Sequence, residues 1–110
     1  MVKRGTGHVE RFRDYRGGVV RLTTERWHHI IQHSEMTGQK RNLRMTVADP
    51  ERVLTSRLDP TVHLYYRRFP ASPVGAKYLM AAVKVLEDDS FIITAFFIDE
   101  VKGGAEVWAK

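Results

Sequence analysis

The sequence contains no cysteine, so disulfide bonds and thiolate metal sites are excluded. This absence fits a protein of a reducing compartment. No apolar run approaches the ~18 residues that a membrane-spanning helix requires. The first residues, M-V-K-R-G-T-G, also lack the apolar segment of a secretory signal. Together these absences favour a cytoplasmic protein with no membrane partner.

Acidic residues are in the minority. The chain has 13 Asp and Glu against 18 Lys and Arg, which gives a net charge of +5. Such a balance favours polyanionic partners, nucleic acid first and anionic membrane second. A length of 110 residues suits one hydrophobic core. We therefore predict a flexible basic arm over residues 1–7 and a single domain over residues 8–110.

The stretch Thr23–Glu35 combines a helix start with an apolar stripe, in the order T-T-E-R-W-H-H-I-I-Q-H-S-E. Its first threonines are suited to cap a helix. At about 100° per residue, Trp27 and Ile30 share one arc, whereas His29 and His33 share another, roughly opposite Trp27. The pattern predicts one helix that buries a tryptophan and displays a pair of imidazoles.

A second, shorter helix is predicted from Gln39 to Ala48, because Leu43 and Val47 lie four residues apart. The pair Asp49-Pro50 ends it, since a residue before proline avoids the helical conformation. Its outer face carries the cations Lys40, Arg41 and Arg44. These three are candidates for contacts with phosphates, although such a face is more often merely solvated.

The period of the apolar residues changes after Glu51. The β-prone runs that follow are Val53–Leu58, Val62–Phe69, Lys77–Leu86 and Phe91–Ile98. Their connections are too short for crossover helices, so the strands should be antiparallel neighbours. A Gly-Gly pair at Gly17 predicts a hairpin before the first helix. We predict an α+β fold of two N-terminal helices packed on a four-stranded antiparallel sheet, preceded by a short β-hairpin.

Alternation inside the strands divides their side chains between two faces. One set is nearly all apolar and is expected to meet the helices: Val62, Leu64, Tyr66, Leu79, Ala81, Val83, Val85, Phe91, Ile93, Ala95 and Phe97. The complementary set is mixed and contains His63, Tyr65, Arg67, Met80, Ala82, Lys84, Ile92, Thr94 and Phe96. The cations, hydroxyl and aromatic groups of the second set are the ones that could take part in catalysis or binding.

Several segments resemble a known family. They are R-W-H-H-I-I-Q-H-S-E, V-A-D-P-E-R-V, L-Y-Y-R-R-F, V-K-V-L, I-I-T-A-F-F and K-G-G-A-E-V-W. The sequence is similar to the phage and mobile-element nuclease-fold proteins of the barnase, EndoU, colicin and RelE-like (BECR) superfamily. The resemblance covers roughly residues 17–108. It implies helices against a four-stranded antiparallel sheet, and toxin-like or mobile-element-derived RNA cleavage without a metal.

The resemblance also assigns residues to roles. The catalytic positions of the family pattern fall on His29, His33, Arg67 or Arg68, Lys84 and Thr94. Ser34 departs from the pattern, which prefers proline there. The partners that the resemblance implies are RNA, a protein inhibitor of the antitoxin type and a second copy of the chain. No cofactor is expected.

The same chemistry can be argued from residue types alone. RNA cleavage without a metal needs a base, an acid and cations that balance the extra charge of the phosphorane. Histidine can be the base or the acid near neutral pH. Because His29 and His33 are four apart, a zinc site with Glu35 or an aspartate is a weaker alternative. His8, His28 and His63 are expected to be ordinary surface histidines.

A binding function remains the alternative to an enzyme. Aromatic residues beside cations stack on bases in proteins that bind single strands. The candidates here are Tyr65, Tyr66 and Phe69 beside Arg67 and Arg68. A non-catalytic module that keeps the fold and contacts RNA or a protein partner would use Arg68, Tyr65 and the cations of the second helix. An enzyme would instead place His29 or His33 in a concave site together with Arg67 or Lys84.

Overall fold

The computed structural model describes residues 8–110, so the predicted basic arm lies outside the described residues. The strands are β1 (Val9–Arg13), β2 (Val19–Thr23), β3 (Arg52–Thr55), β4 (Val62–Ser72), β5 (Gly75–Val85), β6 (Ser90–Ile98) and β7 (Glu106–Ala109). The helices are α1 (Thr24–Ile30) and α2 (Lys40–Ala48), with a single 3₁₀ turn at Ser34–Met36 between them.

All seven strands form one mixed sheet in the order β1-β2-β6-β5-β4-β3-β7. Among residues 8–110, strands hold 48% and helices, with the 3₁₀ turn, 18%, so the fold is mostly sheet. The predicted fold class, two helices on a four-stranded antiparallel sheet, is wrong. The four predicted strands do pair as antiparallel neighbours, from β3 to β6. The sheet is larger because the hairpin and β7 also belong to it.

The hairpin enters the sheet through a parallel pairing of β2 with β6, at Arg21 and Phe91. Strand β6 is apolar on both faces and would be an aggregation-prone edge if it were left unpaired. Strand β2 covers part of that edge. Contacts between β6 and both α1 and the 3₁₀ turn cover more of it. The parallel pairing joins residues far apart in the chain, which explains why local sequence patterns did not predict it.

Both helices pack on one face of the sheet, which we call the helix-covered face. Its core contains Phe12, Val20, Leu22, Ile30, Met36, Leu43, Val47, Val53, Tyr65, Leu79, Ala81, Val83, Ile92, Ala95 and Phe97. We call the opposite face the open face. It carries a smaller cluster of Leu54, Tyr66, Met80 and Ala82, with Leu64, Phe96 and Ile98 beside it. The helices leave this second cluster uncovered.

The predicted division of side chains between the two faces is right for β5 but wrong for β4. Tyr65 is fully buried against the helices, whereas Tyr66 belongs to the cluster on the open face. Both alternating sets of β4 contain apolar or aromatic residues, so alternation alone could not assign its faces. In β6, a bulge in the register opposite Ala82 and Val83 turns Ile92 inward and leaves Phe91 opposite Lys84.

The predicted single helix Thr23–Glu35 is also wrong, because α1 ends at Ile30. Its start agrees with the prediction, since the Thr23 hydroxyl caps it by accepting a hydrogen bond from the Arg26 N–H at 3.0 Å. At the other end, the N–H of His33 donates to the Ile30 carbonyl, a tighter spacing than an α-helix has. His33 is then extended, with φ −77° and ψ 101°.

The two ends of the strand order meet each other. The turn between β1 and β2 carries Tyr15, whose ring lies 4.9 Å from that of Trp108 in β7, centroid to centroid. The same turn carries Asp14, whose buried carboxylate accepts a hydrogen bond from the Tyr65 hydroxyl at 3.1 Å. The sheet therefore curls around the helices, and the open face lies on its outer side.

Candidate functional site

The two cations predicted to act together, Arg67 and Lys84, lie on opposite faces of the sheet. Arg67 is opposite Leu79 on the helix-covered face. Its guanidinium donates to the Asp49 carbonyl at 2.7 Å and to the Asp49 carboxylate at 3.0 Å. Lys84 is opposite Phe91 and Val62 on the open face. A single site cannot contain both cations, and the open face is the one with space for a ligand.

His33 reaches the open face from the loop after α1. Its ring centroid lies 5.5 Å from that of Phe96. Thr94 comes two residues before Phe96 in β6 and is opposite Ala82, so its side chain lies on the same face. Three of the five predicted catalytic residues, His33, Thr94 and Lys84, therefore share the open face.

These three side chains form a row and not a tight cluster. Phe96 is opposite Met80, which is four residues from Lys84 along β5. At about 3.3 Å per residue, the two positions lie about 13 Å apart, with Thr94 between them. Such a row matches an extended chain ligand better than a small compact molecule.

His29 does not join this row. Its side chain is exposed in the last turn of α1, and its imidazole has no hydrogen bond or ion pair with any residue of 8–110. Because the helix ends before His33, the two imidazoles do not share a helical face. The prediction of an imidazole pair at helical spacing is therefore wrong, and the zinc alternative loses the geometry on which it depended.

Lys84 is held in place without being buried. Its ammonium donates to the Asp59 carboxylate at 2.8 Å, and its side chain remains 28% exposed. The hydrogen bond from Lys84, followed by those from Thr61, holds the pKa of Asp59 well below its usual range. Lys84 is therefore an oriented cation that a phosphate of a ligand can still approach.

The open face carries two further cations. Arg68 is exposed, and its neighbour Tyr66 belongs to the open-face cluster. Arg21 lies over the ring of Phe91 at 5.5 Å and forms two hydrogen bonds of 2.8 Å with Asp89. Sequence reasoning missed Arg21. The signal was its place between Val20 and Leu22, whose burial turns the intervening side chain to the other face.

The remaining residues predicted to bind nucleic acid lie elsewhere. Lys40 and Arg44 of α2 both pair with Glu10, and the hydrogen bond from Lys40, aided by the positive charges of both side chains, lowers the pKa of that carboxyl group. Arg41 is exposed on the same helix, away from the open face. Tyr65 is wholly buried, and burial raises the pKa of its hydroxyl. It cannot stack on a base, and that prediction is wrong.

The open face also contains a groove, with a volume of about 630 Å³. Its floor is formed by Leu64, Tyr66, Met80 and Phe96, and one wall by the loop from Glu100 to Gly103. No sequence pattern indicated this groove, since it depends on how that loop folds back over the sheet. Phe96 contributes to the groove and also contacts His33.

Among residues 8–110, no three histidine or acidic side chains lie close enough together to hold a metal ion. No helix in that part of the chain is both long enough and apolar enough to cross a membrane. No protein-family model matches this sequence, and comparisons with curated proteins and with solved structures find no significant match.

Proposed function

We propose that this protein is an endoribonuclease that cleaves single-stranded RNA on the open face without a metal. The observation that carries the proposal is that His33, Thr94 and Lys84 share the sheet face that the helices leave uncovered. The net charge of +5 and the exposed Arg68 on the same face favour a polyanionic ligand. The resemblance to BECR nucleases suggests the same activity.

In the proposed reaction, the imidazole of His33 takes the proton of a ribose 2′-hydroxyl. The 2′-oxygen then attacks the adjacent phosphorus, and the bond from phosphorus to the 5′-oxygen breaks. The leaving oxygen takes its proton from water, to which the open face is accessible. The Thr94 hydroxyl donates to a phosphate oxygen, while Lys84 balances the charge of a neighbouring phosphate.

A non-catalytic RNA-binding module is the second candidate. The observation that favours it is that His33 is the one histidine among residues 8–110 that reaches the open face by a ring contact. Efficient cleavage usually combines a base with an acid. A binder would still use Lys84, Arg21 and Arg68, and its affinity would fall with added salt.

The test is an RNA cleavage assay with the purified protein and labelled single-stranded RNA in EDTA. We expect His33→Ala to slow cleavage about a hundredfold, the usual contribution of general base catalysis. Lys84→Ala should slow it about tenfold, because one charge-assisted contact to phosphate is lost. Product ends should carry a 2′,3′-cyclic phosphate.

Two matched variants serve as controls. His29→Ala removes an exposed imidazole that lies outside the row. Lys77→Ala removes a lysine of the same strand as Lys84, and the two side chains are similarly exposed, at 27% and 28%. Lys77 lies on the other side of the sheet, where it pairs with Asp99. Both should retain the cleavage rate within about twofold. Intact RNA with every variant and with the unmodified protein would exclude the enzyme and favour the binding module.

A further inference from the structure

The groove of the open face has an unusual chemical character. Its floor is apolar and aromatic, and its rim carries two cations, Arg57 and Lys102, with one carboxylate, Glu100. Leu58 at its edge is 97% exposed and is therefore accessible to a ligand. The volume of about 630 Å³ lies within the range of small-molecule sites.

The polar groups at the base of the groove are already used. The Tyr66 hydroxyl donates to the Lys102 carbonyl at 2.6 Å and accepts from the Lys102 N–H at 3.1 Å. The Arg57 Nε donates to the Gly103 carbonyl at 2.8 Å. A ligand in the groove would therefore be held by apolar contact and stacking on Phe96, with its charge at the rim.

We propose that this groove binds the base of the RNA nucleotide next to the cleaved phosphate. An apolar floor with a cationic rim is complementary to a flat base that carries a phosphate. Because Phe96 lines the groove and also contacts His33, a base stacked on Phe96 would be separated from that imidazole by one aromatic ring. The inference rests on the proposed function, for which it supplies a means of positioning the substrate.

The test uses methyl-resolved NMR of the full chain, titrated with adenosine 5′-monophosphate and with 2′-O-methyl hexaadenylate, which cannot be cleaved by the proposed reaction. Both should shift the methyl signals of Leu54, Leu58, Leu64, Met80 and Ile98. The methyl signals of Leu43 and Val47, on the buried side of α2, should stay unchanged. The oligonucleotide should bind at least tenfold more tightly, because it also reaches Lys84.

Two exposed apolar side chains provide a pair of matched variants. Leu58→Glu places a carboxylate at the groove and should weaken oligonucleotide binding about tenfold. Met45→Glu, at a methionine 39% exposed on α2 and away from the open face, adds the same charge and should change binding less than twofold. Phe96→Leu keeps an apolar side chain but removes the ring, and should also weaken binding about tenfold.

Three results would overturn the inference. They are unchanged groove methyls at saturating nucleotide, equal shifts with ribose 5-phosphate, and shifts that depend on protein concentration alone, which would mean that a second copy occupies the groove. Cleavage that depends on His33 without binding in the groove would reject the inference and leave the function intact. Binding in the groove without any cleavage would reject the enzyme and leave the base site.

Discussion

The environment of His63 affects its protonation. It lies in β4 between Thr55 and Val83, on the helix-covered face, and its Nδ1 atom is buried without a hydrogen-bond partner among residues 8–110. Burial lowers its pKa below 6.5, and the nearby Arg16 lowers it further. The prediction of an ordinary surface histidine is therefore wrong, and the position has a consequence for stability.

Because the pKa of His63 is lower in the folded state than in the unfolded chain, the unfolded chain binds a proton at this residue more readily. His63 therefore destabilises the fold as pH drops below 6.5, and has no such effect above that value. We expect His63→Gln to flatten the loss of stability between pH 7 and pH 5.5, because the substituted side chain does not titrate. Urea unfolding at a series of pH values measures this.

The effect of His63 must be separated from that of the paired carboxylates, because their protonation in acid also lowers the free energy of unfolding. The exposed His28 provides the control, since His28→Gln removes an imidazole without a packed environment. Its unfolding free energy should follow that of the unmodified protein at each pH. If His63→Gln gave the same slope as both of them, the buried imidazole would have no role in the acid sensitivity.

Neighbouring residues show how much of the site was predictable. Arg67 and Arg68 were equally good candidates in the sequence, because which face β4 turns to the helices depends on its register with β5. In the structure, Arg67 bonds to Asp49 at the end of α2, whereas Arg68 is exposed next to the open-face cluster. Lys84 and Thr94 were assigned to the correct face because the other side of β5 is continuously apolar.

At the level of elements, the loop between β6 and β7 determines the shape of the groove. Gly103 packs directly on β3, where a Cβ atom would lie 2.9 Å from the Thr55 carbonyl oxygen and 3.0 Å from the Leu54 Cβ. Backbone atoms cannot move aside as the end of a flexible side chain can. The loop can follow its path over the open face only if this residue has no side chain.

Gly103→Ala should therefore destabilise the fold by about 2 kcal/mol, the usual cost of overpacking. It should also displace the loop from the groove, which the methyl signals of Leu54 and Val101 would report. Gly18→Ala is the matched control, since its Cβ would meet nothing closer than 3.4 Å. Equal unfolding free energies for the two variants would show that the loop adapts, and would contradict the close packing described here.

The strands were easier to predict than the helix. Alternation and turn residues located β4, β5 and β6 to within a few residues of their observed ends. The apolar spacing around Trp27 predicted α1 but extended it to Glu35, because periodicity does not show where hydrogen bonding changes. The chain leaves the helix after Ile30 and follows the edge of β6, and this path is set by tertiary packing alone.

For the whole molecule, the sequence predicted charge and approximate strand content but not the closure of the sheet. Closure depends on Trp108 of β7, which lies opposite Val53 of β3. Its ring packs against Tyr15 in the turn between β1 and β2. These residues are at opposite ends of the chain, and no local pattern relates them. The contact links the two ends of a seven-stranded sheet, so their stabilities should be coupled.

Trp108→Ala should lower the unfolding free energy by about 2 kcal/mol, less than a fully buried tryptophan because the side chain is only half-buried. Amide hydrogen exchange should speed up in β7 and also in residues 14–18 of the distant turn. Val107→Ala changes the preceding residue of the same strand, which is 40% exposed, and should leave the turn unaffected. Faster exchange in β7 alone after Trp108→Ala would mean that the two ends of the sheet fold independently.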